Sequence, residues 1–265
     1  MAGMTIRVGV FGAAGRMGRT VCQAVVNDAD LELVAAVDLQ HAGLDLRPVT
    51  GVDLDLSIAP TADAFRDAGV QVAIDFTDAV AARENLAWCA LNSVHAVVGT
   101  TGLSDSDLDR VRKTFVTSNC VVAPNFAIGA VLMMRFAEMA APYFETAEII
   151  ELHHEEKTDA PSGTAMLTVA RMAEASNEWI ADPTKTEVLP GARGAKGPAG
   201  IPVHSIRLRG LVAHQEVLLG TTGQSLSIRH DSYDRSSFMP GVILATKAVA
   251  DRPGLTVGLD SLLGL

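Results

Sequence analysis

The chain has 265 residues, of which 48% are hydrophobic and 20% are charged, and its formal net charge is −10. This length and composition are typical of a globular protein with one large or two smaller domains that needs no disulfide or metal for stability. The acidic balance argues against a general nucleic-acid-binding protein and against binding to an anionic membrane surface.

The cysteines and the uncharged stretches bear on the cellular location of the protein. Three scattered cysteines lack zinc or redox spacing, and no signal peptide precedes the first strand, so we expect reduced thiols and a cytoplasmic location. Residues 85–104 and 115–134 lack Asp, Glu, Lys and Arg. They are long enough to span a membrane, but turns are expected to break both.

The first half of the chain alternates β-branched runs with amphipathic patterns, which predicts alternating strands and helices. The predicted strands are residues 6–11, 33–38, 70–76, 96–99 and 120–123. The predicted helices are residues 16–26, 79–91 and 104–118. Continuous apolar strands between helices indicate a Rossmann-like parallel sheet that is covered on both faces.

The second half of the chain has a different pattern. The predicted strands are residues 148–154, 204–209, 215–220 and 226–231. The predicted helices are residues 128–143, 162–176 and 238–250. The last three strands are expected to form an antiparallel meander. Residues 182–202 contain several prolines and glycines and are predicted to be a long, functional loop.

These patterns together predict an α/β protein with two domains. Residues 1–125 with 236–265 would form the Rossmann-like domain, because the last helix and the tail are expected to return to it. Residues 126–235 would form an α+β domain with a mixed or antiparallel open sheet.

A glycine-rich turn follows the first strand. It consists of Gly12, Ala13, Ala14, Gly15, Arg16, Met17 and Gly18. Small residues at a helix N-terminus let backbone N–H groups approach a pyrophosphate. The spacing alone is weak evidence, but a strand precedes the turn and a helix follows it. We therefore predict a dinucleotide site, the alternative being a tight turn without a ligand.

Asp38, at the end of the second predicted strand, stands where a ribose-binding acid is expected. Hydrogen bonds from ribose hydroxyls to its carboxylate favour NADH. Leu39 occupies the position where a cation for a 2′-phosphate could have been. Arg16 could supply that cation or could be a solvated residue, so both NADH and NADPH are candidate cofactors.

Two later turns also follow predicted strands. Their residues are Gly99, Thr100, Thr101 and Gly102 in one, and Ala123, Pro124, Asn125 and Phe126 in the other. Ligands of open α/β sheets bind beyond the carboxyl ends of the strands. These turns are therefore expected to flank the nicotinamide and its ribose, although ordinary turn chemistry is the alternative.

The densest group of chemically active residues lies in residues 151–165. Lys157 follows His153 by four residues, which places both on one face if the strand continues. A histidine can donate a proton near neutral pH, and a lysine can hold a carboxylate or donate a proton. Metal binding is disfavoured because adjacent histidines on a strand point to opposite faces and Lys157 would repel a cation.

After Pro161, the residues Ser162, Gly163 and Thr164 open a helix. The N–H groups at a helix start attract anions, so this is a second anion site suited to a carboxylate. Together with the two cationic residues, it predicts a small dianionic substrate such as a dicarboxylate. Simple helix capping and a solvated charged segment are the alternatives.

At this point the sequence resembles one family, the dihydrodipicolinate reductases. Residues 12–18 resemble that family's cofactor turn, and residues 99–101 and 124–126 resemble its further cofactor turns. Residues 148–165 are similar to its signature, in which two histidines and a lysine precede Asp-Ala-Pro-Ser-Gly-Thr-Ala. The similarity runs in order over essentially the whole chain.

The resemblance implies a reaction, the reduction of 4-hydroxy-tetrahydrodipicolinate to tetrahydrodipicolinate in the diaminopimelate route to lysine. The nicotinamide would deliver hydride to the ring, with loss of water. His153 would be the acid that protonates the ring, and Lys157 the second catalytic residue. His154 and the segment Ser162, Gly163 and Thr164 would hold the substrate carboxylates.

The resemblance also implies an assembly and a motion. The family is typically a homotetramer built through the sheet of the second domain, so residues 126–235 would bind substrate and form the tetramer. Domain closure would bring His153 to the nicotinamide. Ala213 and Gln224 depart from the family pattern, which leaves local turn geometry open.

Two other functions stay open from the residues alone. A two-domain reductase for another substrate would share the fold but would not need residues 153–164. A nucleotide-binding sensor would bind NADH without turnover and would have no use for His153 with Lys157.

Overall fold

The computed structural model describes residues 5–265 and contains two compact units. The first unit comprises the chain up to Phe126 together with Phe238–Leu265, and the second comprises Ala127–Ser237. Residues 1–4 of the predicted first domain lie outside the described residues.

Strands and helices alternate in the first unit and cluster in the second. The strands are β1 (Ile6–Phe11), β2 (Leu31–Val37), β3 (Val72–Asp75), β4 (His95–Val98), β5 (Cys120–Val122), β6 (Thr146–His153), β7 (Ala195–Lys196), β8 (Pro202–Arg207), β9 (Ala213–Thr221), β10 (Gln224–Ser232) and β11 (Leu255–Val257). The α-helices are α1 (Arg16–Val26), α2 (Leu46–Thr50), α3 (Asp63–Asp67), α4 (Ala79–Leu91), α5 (Asp105–Thr114), α6 (Ile128–Ala140), α7 (Gly163–Ala175) and α8 (Met239–Ala248).

The sheet of the first unit has six strands in the order β11-β5-β4-β3-β1-β2. Every pair in it is parallel, which confirms the predicted Rossmann-like fold class. The register aligns the last residues of the central strands, Phe11, Asp75 and Val98. Because parallel strands end at one edge of the sheet, the turns after β1, β3 and β4 lie at that edge.

Burial explains why the central strands are nearly continuous apolar runs. All residues of β3 and β5 are buried, as expected for strands that are covered on both faces. Helix α1 turns Val21, Cys22 and Val25 towards the core. The sequence analysis missed α2 and α3, which have five residues each, and the edge strand β11. Elements this short carry too few residues for a clear periodicity.

The sheet of the second unit is mixed and has the order β10-β9-β6-β8-β7. Strand β9 pairs antiparallel with both β6 and β10, but β8 pairs parallel with β6. The predicted three-strand meander is therefore wrong for β8, although β9 and β10 do form a hairpin. Successive strands usually pair, but here the earlier strand β6 lies between β8 and β9.

One face of this second sheet forms the core of the second unit. Buried residues alternate along β6, and Ile149 packs with Val169 and Met172 of α7. The opposite face leaves apolar side chains half-buried or exposed. These residues are Ile150, Leu152, Ile206 and Leu218.

The two uncharged stretches are interrupted as predicted. The first includes the end of α4 and all of β4, and the second includes β5 and part of α6. Across residues 5–265, no helix has the length and apolar character that a membrane crossing requires. The three cysteines are free and buried.

Candidate active site

The glycine-rich turn between β1 and α1 has little room for side chains. Gly12 has a φ of 62°, a region that favours glycine. A Cβ on Gly18 would lie 2.0 Å from the carbonyl oxygen of Gly12, so only glycine fits there. Helix α1 begins after Gly15, which provides no side-chain cap for its first N–H groups. This arrangement fits a phosphate at the helix N-terminus.

Asp38 directly follows β2, and its side chain is 12% exposed. One carboxylate oxygen accepts a hydrogen bond from the backbone N–H of Ala14 at 3.2 Å. The other accepts from the N–H of Gln40 at 3.1 Å and lies 2.9 Å from Nδ1 of His41. The carboxylate therefore holds the glycine-rich turn in place, and His41 is a neighbour that the sequence analysis did not identify.

The turn after β4 is organised by a buried carboxylate from β3. Asp75 accepts hydrogen bonds from the Thr77 hydroxyl at 2.6 Å, from Asn85 at 2.7 Å and from the Thr100 hydroxyl at 3.2 Å. Thr100 is buried, while Thr101 is exposed. Sequence analysis predicted the turn at Gly99–Gly102 but missed Asp75, which fixes it.

Phe76 joins the two later turns of the first unit. A Cβ on Gly99 would lie 2.0 Å from the Phe76 ring, so the ring lies directly on this glycine. The same ring packs against Phe126 with 5.4 Å between centroids. Pro124 is exposed and Asn125 is half-buried beside them. The structure thus brings together the two turns that were predicted to flank the nicotinamide.

In the second unit, β6 ends at His153 and the chain then turns. The N–H of Lys157 donates to the carbonyl of His154 at 3.2 Å. The condition that the strand continues to Lys157 is therefore not met, and a turn positions this residue instead. The Lys157 side chain is 20% exposed, and its ammonium nitrogen lies 2.8 and 2.9 Å from the two Asp159 carboxylate oxygens. His154 is half-buried.

Glu151 is fully buried two residues before His153, on the same face of β6. Its Oε2 lies 2.5 Å from Nδ1 of His153, and both of its oxygens accept hydrogen bonds from Arg207 at 2.9 Å. Burial raises the pKa of Glu151, but hydrogen bonds from His153, Arg207 and Ser205 outweigh it and lower the pKa to about 2. The carboxylate is therefore ionised at neutral pH.

Helix α7 begins beside this carboxylate. Ser162 is its N-cap, and the Ser162 hydroxyl accepts a hydrogen bond from the N–H of Ala165 at 3.2 Å. The N–H of Ser162 donates to Oε1 of Glu151, also at 3.2 Å. Gly163 is exposed, and a Cβ there would meet nothing within 4 Å. The start of α7 is therefore open to a carboxylate, and Ser162 also caps the helix there.

The sequence analysis missed Arg207, which lies in β8 directly opposite His153 in the register. Its side chain is 20% exposed and pairs with both oxygens of Glu151. It also donates to the backbone carbonyls of Lys157 and Asp159. One signal was present in the sequence, because Glu151 interrupts an alternating apolar pattern and an ionised buried residue needs a partner.

The predicted residues of the second unit thus lie around one buried carboxylate. Glu151 contacts His153 and the start of α7, and Arg207 links it to the loop of Lys157. Within the described part of the chain, no cluster of three His, Cys, Asp or Glu side chains could hold a metal ion.

The two units define a class of protein. A parallel sheet with a glycine-rich turn and an acid after β2 is typical of nicotinamide-dependent oxidoreductases. A solved amine dehydrogenase from Mycobacterium smegmatis shares this fold, with a TM-score of 0.66 over 95% of this chain and 94% of its own at 12% identity.

The family itself follows from sequence matches to both units. Residues 6–126 match the model described as "Dihydrodipicolinate reductase, N-terminus", and residues 129–263 match "Dihydrodipicolinate reductase, C-terminus". The chain belongs to the dihydrodipicolinate reductase family, and it is a nicotinamide-dependent oxidoreductase.

Individual relatives agree over the full length. A 4-hydroxy-tetrahydrodipicolinate reductase of Nocardia farcinica is 51% identical over 99% of this chain and 100% of its own length. One of Cutibacterium acnes is 50% identical over 98% and 99%. The solved dipicolinate-bound dihydrodipicolinate reductase from Paenisporosarcina sp. TG-14 has 41% identity and a TM-score of 0.85 over 97% of this chain and 99% of its own.

Proposed function

We propose that His153 and Lys157 are the catalytic residues of this chain in the reaction of its family. That reaction is the reduction of 4-hydroxy-tetrahydrodipicolinate to tetrahydrodipicolinate in the diaminopimelate route to lysine. The observation that carries the proposal is the contact between Nδ1 of His153 and the buried carboxylate of Glu151. It leaves Nε2 of the imidazole as the nitrogen that exchanges a proton with substrate.

The proton transfer completes the chemistry that the cofactor begins. NADH or NADPH, when bound, would supply the hydride for the reduction of the ring. The substrate would lose its hydroxyl group together with one hydrogen from a neighbouring ring carbon as water. His153 gives a proton to the ring, and the Lys157 ammonium group stabilises negative charge on the substrate. The pair between Lys157 and Asp159 orients the lysine before substrate arrives.

The substrate is a small dicarboxylate, and we propose the start of α7 as the place for one carboxylate. The open backbone at Gly163 and Thr164, next to the capping residue Ser162, supports this placement. His154 is proposed as a further carboxylate ligand. The bound dipicolinate in the Paenisporosarcina relative supports a planar ring with two carboxylates as the ligand class.

The cofactor is a nicotinamide dinucleotide, and we propose that both NADH and NADPH are used. Residues Gly12, Ala13, Ala14, Gly15, Arg16 and Met17 would hold the pyrophosphate, and Asp38 the adenosine ribose. Asp38 favours NADH, while Arg16 in the first turn of α1 offers a cation for a 2′-phosphate. The turns at 99–101 and 123–126 are proposed to hold the nicotinamide end.

We propose a homotetramer that forms through the sheet of the second unit. The open face of that sheet carries the apolar residues Ile150, Leu152, Ile206 and Leu218. A patch of this kind on a sheet is typical of a protein–protein interface. Light scattering of the purified chain would test the tetramer. We also propose a cytoplasmic location, as for other enzymes of small-molecule biosynthesis.

A turnover assay tests the proposed function. Substrate is made freshly by coupling to the preceding synthase. Oxidation of NADH or NADPH is followed by the absorbance of the reduced nicotinamide at about 340 nm. We expect oxidation that depends on both substrate and protein. Binding of NADH without any turnover would instead favour a nucleotide sensor and would contradict the proposal.

A further inference from the structure

Glu151 occupies a position where the strand pattern calls for an apolar residue. Alternate residues of β6, Ala147 and Ile149, are buried in the core of the second unit, and Glu151 is the next in that series with 0% exposure. A buried ion pair generally stabilises a fold no better than well-packed apolar residues would. Stability alone therefore does not explain a charged residue here.

Both carboxylate oxygens of Glu151 have hydrogen-bonding partners. Oε2 lies 2.5 Å from Nδ1 of His153 and accepts from Arg207 at 2.9 Å. Oε1 accepts from Arg207 at 2.9 Å and from the N–H of Ser162 at 3.2 Å. The proposed acid and the start of the proposed carboxylate-binding helix are thus held by one group.

Arg207 extends this arrangement to the lysine. Its Nη2 donates to the carbonyl of Asp159 at 2.6 Å, and its Nε donates to the carbonyl of Lys157 at 3.3 Å. A planar guanidinium that also pairs with both oxygens of a carboxylate has a fixed orientation. The loop that carries Lys157 is therefore held at two of its carbonyl groups.

We propose that Glu151 and Arg207 are the positioning residues of this site. The carboxylate fixes the tautomer of His153 with its hydrogen on Nδ1, so that Nε2 faces the substrate. The guanidinium fixes the loop of Lys157. The proposal rests on the proposed function, and neither residue needs to touch substrate. A carboxylate that orients a catalytic histidine acts in this way in other enzymes.

The same strand provides a matched control on its other face. Glu148 lies 2.5 Å from Nε2 of His204 and forms an ion pair with Arg193. It therefore has the same kinds of partner as Glu151, a histidine and an arginine. Neither His153 nor Ser162 is among its contacts, because residues three apart on a strand point to opposite faces.

The test compares Glu151→Gln with Glu148→Gln in the full-length protein. Exchange of the C2 hydrogen of each histidine is followed by mass spectrometry across pH, which reports the protonation of each imidazole without any turnover. In Glu151→Gln, we expect the exchange midpoint of His153 to fall by about 1 pH unit, because the nearby negative charge is lost. In Glu148→Gln, the midpoint of His204 should fall while that of His153 stays unchanged.

The kinetic readout follows from the same change. Glu151→Gln should lower kcat by on the order of 100-fold, and the alkaline limb of the pH–rate profile should move to lower pH. Cofactor affinity should stay the same, and Glu148→Gln should keep its kcat. A Glu151→Gln variant with an unchanged His153 midpoint overturns the proposal even if the wild type turns over. An inactive wild type with the expected midpoints contradicts the proposed function instead.

Two further variants keep the proposal testable if Glu151→Gln does not fold. Glu151→Asp keeps the charge but is one methylene shorter, so it cannot keep both the His153 and the Arg207 contact. The midpoint of His153 should still fall, by a smaller amount, and kcat should fall with it. Arg207→Lys keeps a cation but loses the paired geometry, so kcat should fall while KM for the cofactor stays constant. Wild-type values in both variants would overturn the proposal.

Discussion

The two helix N-termini proposed as anion sites, after Gly15 and at Ser162, are built in opposite ways. The first has no side-chain cap and a turn so tight that only glycine fits at Gly18. The second is capped by a serine whose N–H is bound to a buried glutamate. The first presents bare backbone, whereas the second is fixed by buried charge.

This difference matches the ligands proposed for the two sites. A pyrophosphate is large and strongly charged, so backbone N–H groups and close approach are sufficient to hold it. A small dicarboxylate that must also receive a proton requires an acid at a defined place, and Glu151 contacts Nδ1 of His153, the proposed acid. Substitutions should therefore affect binding at the first terminus and catalysis at the second.

The largest expected effect is on catalysis. His153→Ala removes the proposed acid, and kcat should fall by about 10³-fold, within the range for general acid catalysis. Lys157→Ala should also slow turnover, and it should raise KM for the substrate because a carboxylate partner is lost. Steady-state kinetics with fluorescence titration of NADH measures both. A weakened cofactor affinity in either variant would contradict the separation of the two sites.

The next effect is on stability at the second site. Glu151→Gln leaves Arg207 without its charged partner and should lower the free energy of unfolding by about 3 kcal/mol at neutral pH. The pKa of Glu151 is lowered from 4.5 to about 2, so its contribution is present above pH 4.5 and is lost as pH falls towards 2. Urea denaturation should show that the difference in free energy of unfolding between wild type and variant becomes smaller as pH falls from 4.5 towards 2. A difference that stays constant down to about pH 3 would contradict the buried ion pair.

At the first site, the expected effect is on cofactor binding. Gly18→Ala places a Cβ 2.0 Å from the Gly12 carbonyl oxygen, so the turn must shift. We expect cofactor affinity to fall at least about tenfold and stability to fall by about 1–3 kcal/mol. Gly163→Ala is the matched change at the second helix, where a Cβ meets nothing within 4 Å. Gly163→Ala should leave stability and cofactor affinity unchanged. A loss of stability in this variant would contradict the difference between the two helix starts.

The smallest effect concerns cofactor preference. Asp38→Asn keeps an oxygen for the N–H of Ala14 but removes a negative charge at the proposed ribose site. The ratio of NADPH to NADH affinity should rise by about fivefold, the effect of one charge pair at about 4 Å in water. Asp45→Asn, at a residue that caps α2, is the control and should leave the ratio unchanged. An equal loss for both cofactors would contradict the ribose assignment.

The sequence analysis predicted the glycine-rich turn and the parallel sheet because their signals are local. Gly12, Gly18 and Asp38 fall at fixed distances along the chain, and the parallel sheet follows from apolar strands between helices. It could not predict that Arg207 meets Glu151, since these residues are 56 positions apart and their contact depends on how β8 pairs. The wrong meander and the missed arginine have the same origin, namely that β8 was placed beside β9.

A crystal structure of this chain with both dipicolinate and NADH tests the central claim most directly. Dipicolinate should lie with one carboxylate at the start of α7 near Gly163 and its ring within reach of Nε2 of His153. The pyrophosphate should lie at Gly15 with the adenosine ribose on Asp38. Dipicolinate bound away from α7, or a His153 ring whose Nδ1 rather than Nε2 faces the ligand, would contradict the account.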